Sequence, residues 1–235
     1  MKIAVMQPYF MPYIGYFQLI AAVDRFILLD DVNYINRGWI NRNRIAVNGS
    51  AHWLTIPLNG ASQNRFINDI EILPDVFWKK KMLRTVQISY ASSPYFEDVF
   101  PLFEKILNLA SGNLSTFLSL SLVMVMKYLG LRTKIEITSS IYPNLDLKGD
   151  RRILEICALE EASTYVNPVS GKLLYDKGRF AASGVQLLFL ESNFSKSQLK
   201  HNGEEGLMLS ILDLMMCNSA SAIADALTNF ELSDS

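Results

Sequence analysis

Ile3–Met6 is an apolar run of strand length, and the prolines at positions 8 and 12 follow it at once. A helix opens at Gly15, and Asp24–Asp31 returns to a buried strand that closes on two carboxylates. A strand that passes through a glycine-containing loop into a helix and back to a parallel strand is a βαβ unit. Its ligand sits where strand ends meet the helix N-terminus. Residues 3–31 therefore read as a site as well as scaffold.

Further along, two β-patterned runs within Arg44–Leu58 flank Asn48-Gly49, the pair that a tight hairpin turn requires. The sheet is accordingly expected to be mixed. A short strand is expected at Ile67–Ile72, Asp75 is placed to cap a helix reaching Tyr90, and two more helices follow at about Glu97–Leu109 and Leu114–Gly130. Lys134–Thr138 is a strand again, Asp150–Glu161 a helix, and Ser163–Gly171 a strand that breaks into a Pro/Ser/Gly loop. A short helix closing over Phe180–Gly184, a strand at Val185–Ser192 and two helices, about Glu205–Met216 and Ser219–Leu227, finish the pattern. No repeat, low-complexity tract or flexible linker divides the chain. The expectation is one α/β domain over residues 1–235, a Rossmann-like three-layer core with a mixed, mostly parallel sheet and a helical insertion at roughly residues 75–130.

Composition narrows the partners. Half of the 235 residues are hydrophobic and 19% are charged, which suits one large globular core. A net charge of −1 and a pI near 6.1 supply no general field toward nucleic acid, so none is expected as a partner. Cys157 and Cys217 lie far apart and outside any C-x-x-C spacing, which points to buried thiols in a reducing compartment rather than a zinc site or redox pair. Leu114–Leu131 carries Ser115, Thr116, Ser119, Ser121 and Lys127, so it reads as a core helix and not a membrane span. With no basic region ahead of an apolar run at the start, a cytoplasmic protein without membrane insertion is expected. The cluster of Leu207, Met208, Leu212, Met215 and Met216 suits the core, with a homodimer face as the alternative.

Four groups of residues carry candidate chemistry. Gly15 opens a helix whose free N–H groups can meet a phosphate or carboxylate, and Gln7, Tyr9, Tyr13 and Tyr16 add polar groups around it. Asp30 and Asp31 end a strand, so one is expected to point toward the cleft and the other toward the helix side. A carboxylate there can bind an ammonium, hold a metal or act as a base. Arg37, Asn41 and Arg42 offer a donor fork for a pyrophosphate, and a loop bridging to Asp30 or Asp31 is the competing reading. Ser170 and Gly171, with Lys172, form a possible anion nest that places Tyr175 and Asp176 at the cleft. Ser170 lies outside any G-x-S-x-G motif, which leaves serine hydrolysis without support. His52 is expected to be packed in a hairpin strand, and His201 sits in a polar loop.

Met6–Ile20 (MQPYFMPYIGYFQLI), the D-x-F-x-x-x-D-D-V of Asp24–Val32, RGWINRNRI at Arg37–Ile45 and WLTIPL at Trp53–Leu58 resemble the signature of the WbqC-like proteins of bacteria. Tyr165–Gly171 and Leu209–Met215 extend the likeness over nearly the whole chain. Where family members often carry a second glycine and tyrosine after the Ser-Gly turn, this chain has Lys172-Leu-Leu-Tyr175. The resemblance implies a place in O-antigen or related lipopolysaccharide biosynthesis, and an N-acyl or aminoacyl transferase acting on the amine of an amino-dideoxy sugar nucleotide. In that reading Asp30 or Asp31 is the catalytic base or amine anchor, and Arg37, Asn41 and Arg42 hold phosphate. Gln7, Tyr9, Tyr13, Gly15, Tyr16, Ser170, Gly171 and Tyr175 then line the substrate pocket. No metal and no permanently bound cofactor are expected. The acyl donor is a thioester or an ATP-activated acid, which makes an acyl or aminoacyl carrier a partner beside the nucleotide-linked amino sugar. A non-catalytic sugar-nucleotide binding or assembly protein is the alternative. A second alternative, an ATP-dependent adenylate-forming amide ligase, rests on the similarity of P-Y-I-G-Y-x-x-L-I to the P-x-H-x-G-H-x-x-L-I loop of nucleotidyltransferase-like enzymes. Tyr13 and Tyr16 stand there in place of histidines and bring no positive charge.

Overall fold

The computed structural model describes residues 1–193, 199–203 and 208–234. In chain order its elements are β1 (Lys2–Met6), α1 (Ile14–Ala21), β2 (Arg25–Leu28), the hairpin β3 (Arg42–Val47) and β4 (Ser50–Thr55), and the short pair β5 (Leu58–Asn59) and β6 (Glu71–Ile72). Three helices follow, α2 (Phe77–Tyr90), α3 (Phe96–Asn108) and α4 (Leu114–Tyr128). After them come β7 (Lys134–Glu136), α5 (Gly149–Leu159), β8 (Thr164–Pro168), α6 (Lys177–Ala182), β9 (Gln186–Ser192), α7 (Ile211–Cys217), α8 (Ala220–Leu227) and β10 (Phe230–Ser233).

The central sheet has six strands in the order β10-β9-β8-β1-β2-β7. All neighbours are parallel except β10, which runs antiparallel to β9. From β1 the chain builds outward through β2 and β7, then returns to the other side of β1 for β8 and β9. The order therefore reverses between β1 and β8, as in doubly wound Rossmann-like sheets. The β3–β4 hairpin forms a separate two-stranded sheet, so β10 alone makes the central sheet mixed.

Period-two alternation distributes the two faces. Ile3 and Val5 of β1, Ile27 of β2, Tyr165 of β8 and Phe189 of β9 pack against Ile153, Ile156 and Cys157 of α5 and Phe180 of α6. Ala4, Phe26, Leu28, Val166 and Leu190 face the opposite, larger core, built with α1, α3, α4, α7 and α8. The result is a three-layer α/β fold. Helices α2–α4 occupy the stretch read as a helical insertion and join this larger core through Met82, Val86, Phe103 and Phe117. No described helix is long and apolar enough to cross a membrane.

Several boundaries differ from the pattern-based expectation for local reasons. β2 stops at Leu28, three residues short, because the Leu29 N–H to Met6 carbonyl bond (2.8 Å) is the last rung before Pro8 turns the neighbouring chain away. Ile67–Asp69 is a 3₁₀ turn, which leaves only Glu71–Ile72 as strand. Thr138 leaves β7 and caps the 3₁₀ turn Ser139–Ile141, its Oγ1 accepting the Ser140 N–H at 3.2 Å. α7 begins at Ile211 behind a Ser210 cap; the predicted start at Glu205 lies outside the described residues, as does Leu207. Leu212, Met215 and Met216 are buried, whereas Met208 is exposed. His52 is exposed although it shares its face of β4 with Leu54, because Leu54 is the one residue of that strand that is buried.

Candidate functional site

The reversal of strand order opens a crevice beyond the carboxyl ends of β1 and β8, where ligands of such sheets bind. The residues that line it continue the α5-facing parity of each strand. After Ile3 and Val5 comes Gln7; after Ile27 come Leu29 and Asp31; after Tyr165 comes Asn167. The crevice has two lobes with Leu29 and Tyr175 between them. One, of about 330 Å³, is bounded by Gln7, Tyr9, Asn167, Ser170 and Gly171; the other, of about 400 Å³, by Asp31, Phe66, Leu145, Lys148, Gly149 and Arg152.

The first lobe is neutral, since no charged side chain lines it. Asn167 is only 4% exposed, and its side-chain amide makes no hydrogen bond to a described residue. Gly171 is required beneath it, because a Cβ there would collide with Asn167 Nδ2. The Gln7 side-chain amide is likewise unpaired among the described residues. The Tyr175 and Tyr165 hydroxyls lie 3.2 Å apart, and Tyr165 reaches toward the Val5 carbonyl at 3.5 Å. Burial holds Tyr9, Tyr165 and Tyr175 above the ordinary tyrosine range, so all three remain protonated and neutral.

The second lobe is charged. Helix α5 opens into it at Gly149, which adopts φ +57°, directly after Lys148. This combines a helix N-terminus with an ammonium beside one opening. Beneath them Arg152 Nη2 lies 2.6 Å from both oxygens of Asp31, while its Nε donates to Asn144 Oδ1 at 3.1 Å. Ser139 Oγ also donates to Asp31. The pair is deeply buried and well supplied with hydrogen bonds, as buried ion pairs must be. Asp30 points to the opposite face of the sheet. There it accepts from Ser115 Oγ of α4 (2.6 Å), Thr138 Oγ1 (2.9 Å) and Ser139 N (3.0 Å) and ties β2 to α4 and β7.

Of the residues singled out in the sequence, the fold gathers Gln7, Tyr9, Asp31, Ser170, Gly171 and Tyr175 at the crevice. The others lie outside the lining of both lobes. Tyr16 is buried with its hydroxyl on the Gln7 carbonyl (2.9 Å), and Tyr13 lays its ring against Gly15, where a Cβ would meet ring carbon Cε2 at 2.5 Å. The Arg/Asn loop packs on its own hairpin and on the loop after β1, where the Phe10 N–H donates to the Ile40 carbonyl (3.0 Å) and Asn43 Nδ2 to the Met11 carbonyl (2.8 Å), but it lines neither lobe and bonds neither Asp30 nor Asp31. Asn41 accepts from the Tyr34 hydroxyl (2.8 Å) and donates to the Ile56 carbonyl (2.7 Å). Arg42 donates to the carbonyls of Gly38 (3.2 Å) and Arg37 and sits 4.1 Å over the Trp53 ring. Asp176 caps α6 through the Gly178 N–H (2.8 Å), and Lys172 reaches over the Phe189 ring. Both cysteines are buried, which pushes each thiol up to about 12. Among the described residues, no three His, Cys, Asp or Glu side chains are grouped to hold a metal. Asn167, Lys148, Gly149 and Arg152 were not among the residues singled out. Strand parity beyond Tyr165 could have found Asn167, and the Lys148-Gly149 helix start could have found the second lobe. Nothing local marks Arg152.

Comparison with known proteins adds a family. An uncharacterized protein of Mycobacterium tuberculosis (strain ATCC 25618 / H37Rv), Rv1507c, is 29% identical over 224 residues, which cover 94% of this chain and 95% of that protein. No solved structure matches the chain. The model of the WbqC-like protein family matches residues 7–225, a span that takes in both lobes of the crevice, and the chain belongs to that family.

Proposed function

We propose that the protein binds a nucleotide-linked amino sugar in the two-lobed crevice and directs an acyl or aminoacyl group onto the sugar's amine, in the assembly of a bacterial surface polysaccharide. The observation that carries this reading is the division of the crevice. One lobe is neutral and rich in amides and hydroxyls; the other joins a helix N-terminus and Lys148 to the Asp31–Arg152 pair. A ligand with a neutral hydrogen-bonding part, an anionic diphosphate and a cationic amine matches all three features.

Amide formation needs the ammonium to lose a proton, its nitrogen to attack the acyl carbonyl carbon, and the thiolate or adenylate to leave. Asp31 is the carboxylate that lines the crevice and is the candidate proton acceptor or amine anchor. Lys148 and the first N–H groups of α5 are the candidate partners for phosphate or for the developing oxyanion. The saturation of Asp31 favours a second reading. With both oxygens engaged by Arg152, the site supports binding without chemistry, as in a sugar-nucleotide binding or assembly protein. The burial of Tyr16 and the packing of Tyr13 on Gly15 give the adenylate-forming alternative no comparable support.

Calorimetry with a nucleotide-linked amino sugar, followed by mass spectrometry of reactions supplied with acyl thioesters or with ATP and carboxylic acids, separates these readings. Acylated product that disappears in Asp31→Asn supports the transferase with Asp31 in its site. Binding without product from any donor supports the binding protein. Absence of binding overturns both.

A further inference from the structure

We infer that the neutral lobe is a nucleobase subsite, in which Asn167, with Gln7 on the neighbouring strand end, reads the hydrogen-bonding edge of the base. This assignment rests on the sugar-nucleotide reading and gives the ligand a direction: base toward β8, diphosphate toward α5.

Asn167 is 4% exposed, and neither its oxygen nor its nitrogen pairs with a described residue, yet neither atom is sealed from solvent. The amide borders an open recess, where an incoming group can reach it. The loop is shaped around it as well. Gly171 lacks the Cβ that would displace Nδ2, so the turn after β8 preserves the position of this side chain. Across the same recess the Gln7 amide is also unpaired among the described residues.

The chemistry of the lobe selects the part of the ligand. No charged side chain lines it, which disfavours a phosphate or an ammonium there. An amide presents a coplanar donor and acceptor, the arrangement that pairs bidentately with adjacent N–H and C=O or ring-nitrogen groups on a base edge. Tyr9 and Tyr175 add flat ring surfaces and protonated hydroxyls, and about 330 Å³ is within the range of small-ligand pockets. The cationic end of an amino sugar is better matched beside Asp31, in the other lobe. That leaves the base for Asn167.

The test is calorimetric binding of UDP, dTDP, CDP, ADP, GDP and inorganic pyrophosphate to the full chain and to three variants. Wild type is expected to prefer one base, or one pair with the same edge, by about tenfold or more. Asn167→Ala and Gly171→Ala should each remove most of that preference while leaving pyrophosphate affinity within about twofold. Asn167→Asp, which exchanges the donor for a second acceptor, should reorder the bases rather than weaken all of them alike. A merely structural role would not reorder them, so the ratio of affinities stays informative even if a variant melts earlier. Equal affinity for all five nucleotides, or a preference that survives Asn167→Ala, overturns the subsite. If nucleotide-linked amino sugars then still bind with an affinity sensitive to Lys148→Ala, the crevice reading stands and only the base assignment falls. If no nucleotide binds, both fall.

Discussion

Arg152→Met is the substitution that separates a buried structural pair from an available catalytic carboxylate. Methionine preserves much of the apolar stem and removes the guanidinium. The variant loses two 2.6 Å contacts to Asp31 and the Nε bond to Asn144, whose Nδ2 already lacks a partner. Asp31 would keep Ser139 Oγ as its remaining side-chain donor in a site where the two side chains are 6% and 2% exposed. Removing one partner from a buried pair costs about 3–5 kcal/mol, a large share of the roughly 5–15 kcal/mol that stabilises a typical domain. At roughly 2–4 °C per kcal/mol for a chain of this size, the melting temperature should fall by about 10 °C. Urea unfolding followed by circular dichroism, on wild type, Arg152→Met, Asp31→Asn and the double variant, gives the complete cycle. The double variant should be more stable than Arg152→Met alone, since it buries no unpaired charge. A loss below about 1 kcal/mol, the level of an exposed ion pair, would refute the buried-lock interpretation and leave Asp31 free to act as a base.

Three other substitutions probe the surroundings. Gly15→Ala should cost about 1–3 kcal/mol in urea unfolding, because the Tyr13 ring must swing away; adding Tyr13→Ala should make the glycine replaceable, and an unchanged penalty in that background would refute the packing role. Asp213 is fully buried beneath the Tyr90 hydroxyl (2.6 Å), and burial raises its pKa, so the folded protein holds this proton more tightly than the unfolded chain. Ionising Asp213 therefore costs stability as pH rises above the ordinary carboxylate range, and Asp213→Asn should gain stability relative to wild type between about pH 4 and 7; parallel pH profiles would contradict this. Arg37→Ala and Arg42→Ala should leave nucleotide affinity within about twofold and cost about 1 kcal/mol or less, as expected for exposed cation–π and surface contacts; a larger loss of affinity would return that loop to the binding site.

Strand alternation was the most informative signal in the sequence. It assigned Asp30 and Asp31 to opposite faces, and with the βαβ pattern it pointed to the end of the sheet where the crevice opens. The Asn48-Gly49 turn was legible because both residues take the positive φ that this pair favours (51° and 80°). The path of the Arg37–Arg44 loop was not legible. The contacts that turn its arginine side chains away from the crevice, Arg42 over Trp53 and Arg44 over Trp39 and Trp53, form only once the β3–β4 register brings the rings together. Arg152 was hidden for a similar reason: an arginine in the first turn of a helix usually faces water, and its burial depends on Asp31, 121 positions away. β10 escaped because Phe-Glu-Leu-Ser has the polarity of a tail, and its strand character comes from pairing along one edge of β9.

The most direct test is a crystal structure of the protein with a nucleotide-linked amino sugar. The base is predicted to lie between Gln7 and Asn167, the diphosphate at Lys148 and Gly149, and the amine within hydrogen-bonding distance of Asp31. A ligand seated instead on the Trp39–Trp53 face of the hairpin, or beside Ser115 and Thr138 on the opposite side of the sheet, with the crevice left empty, would contradict it.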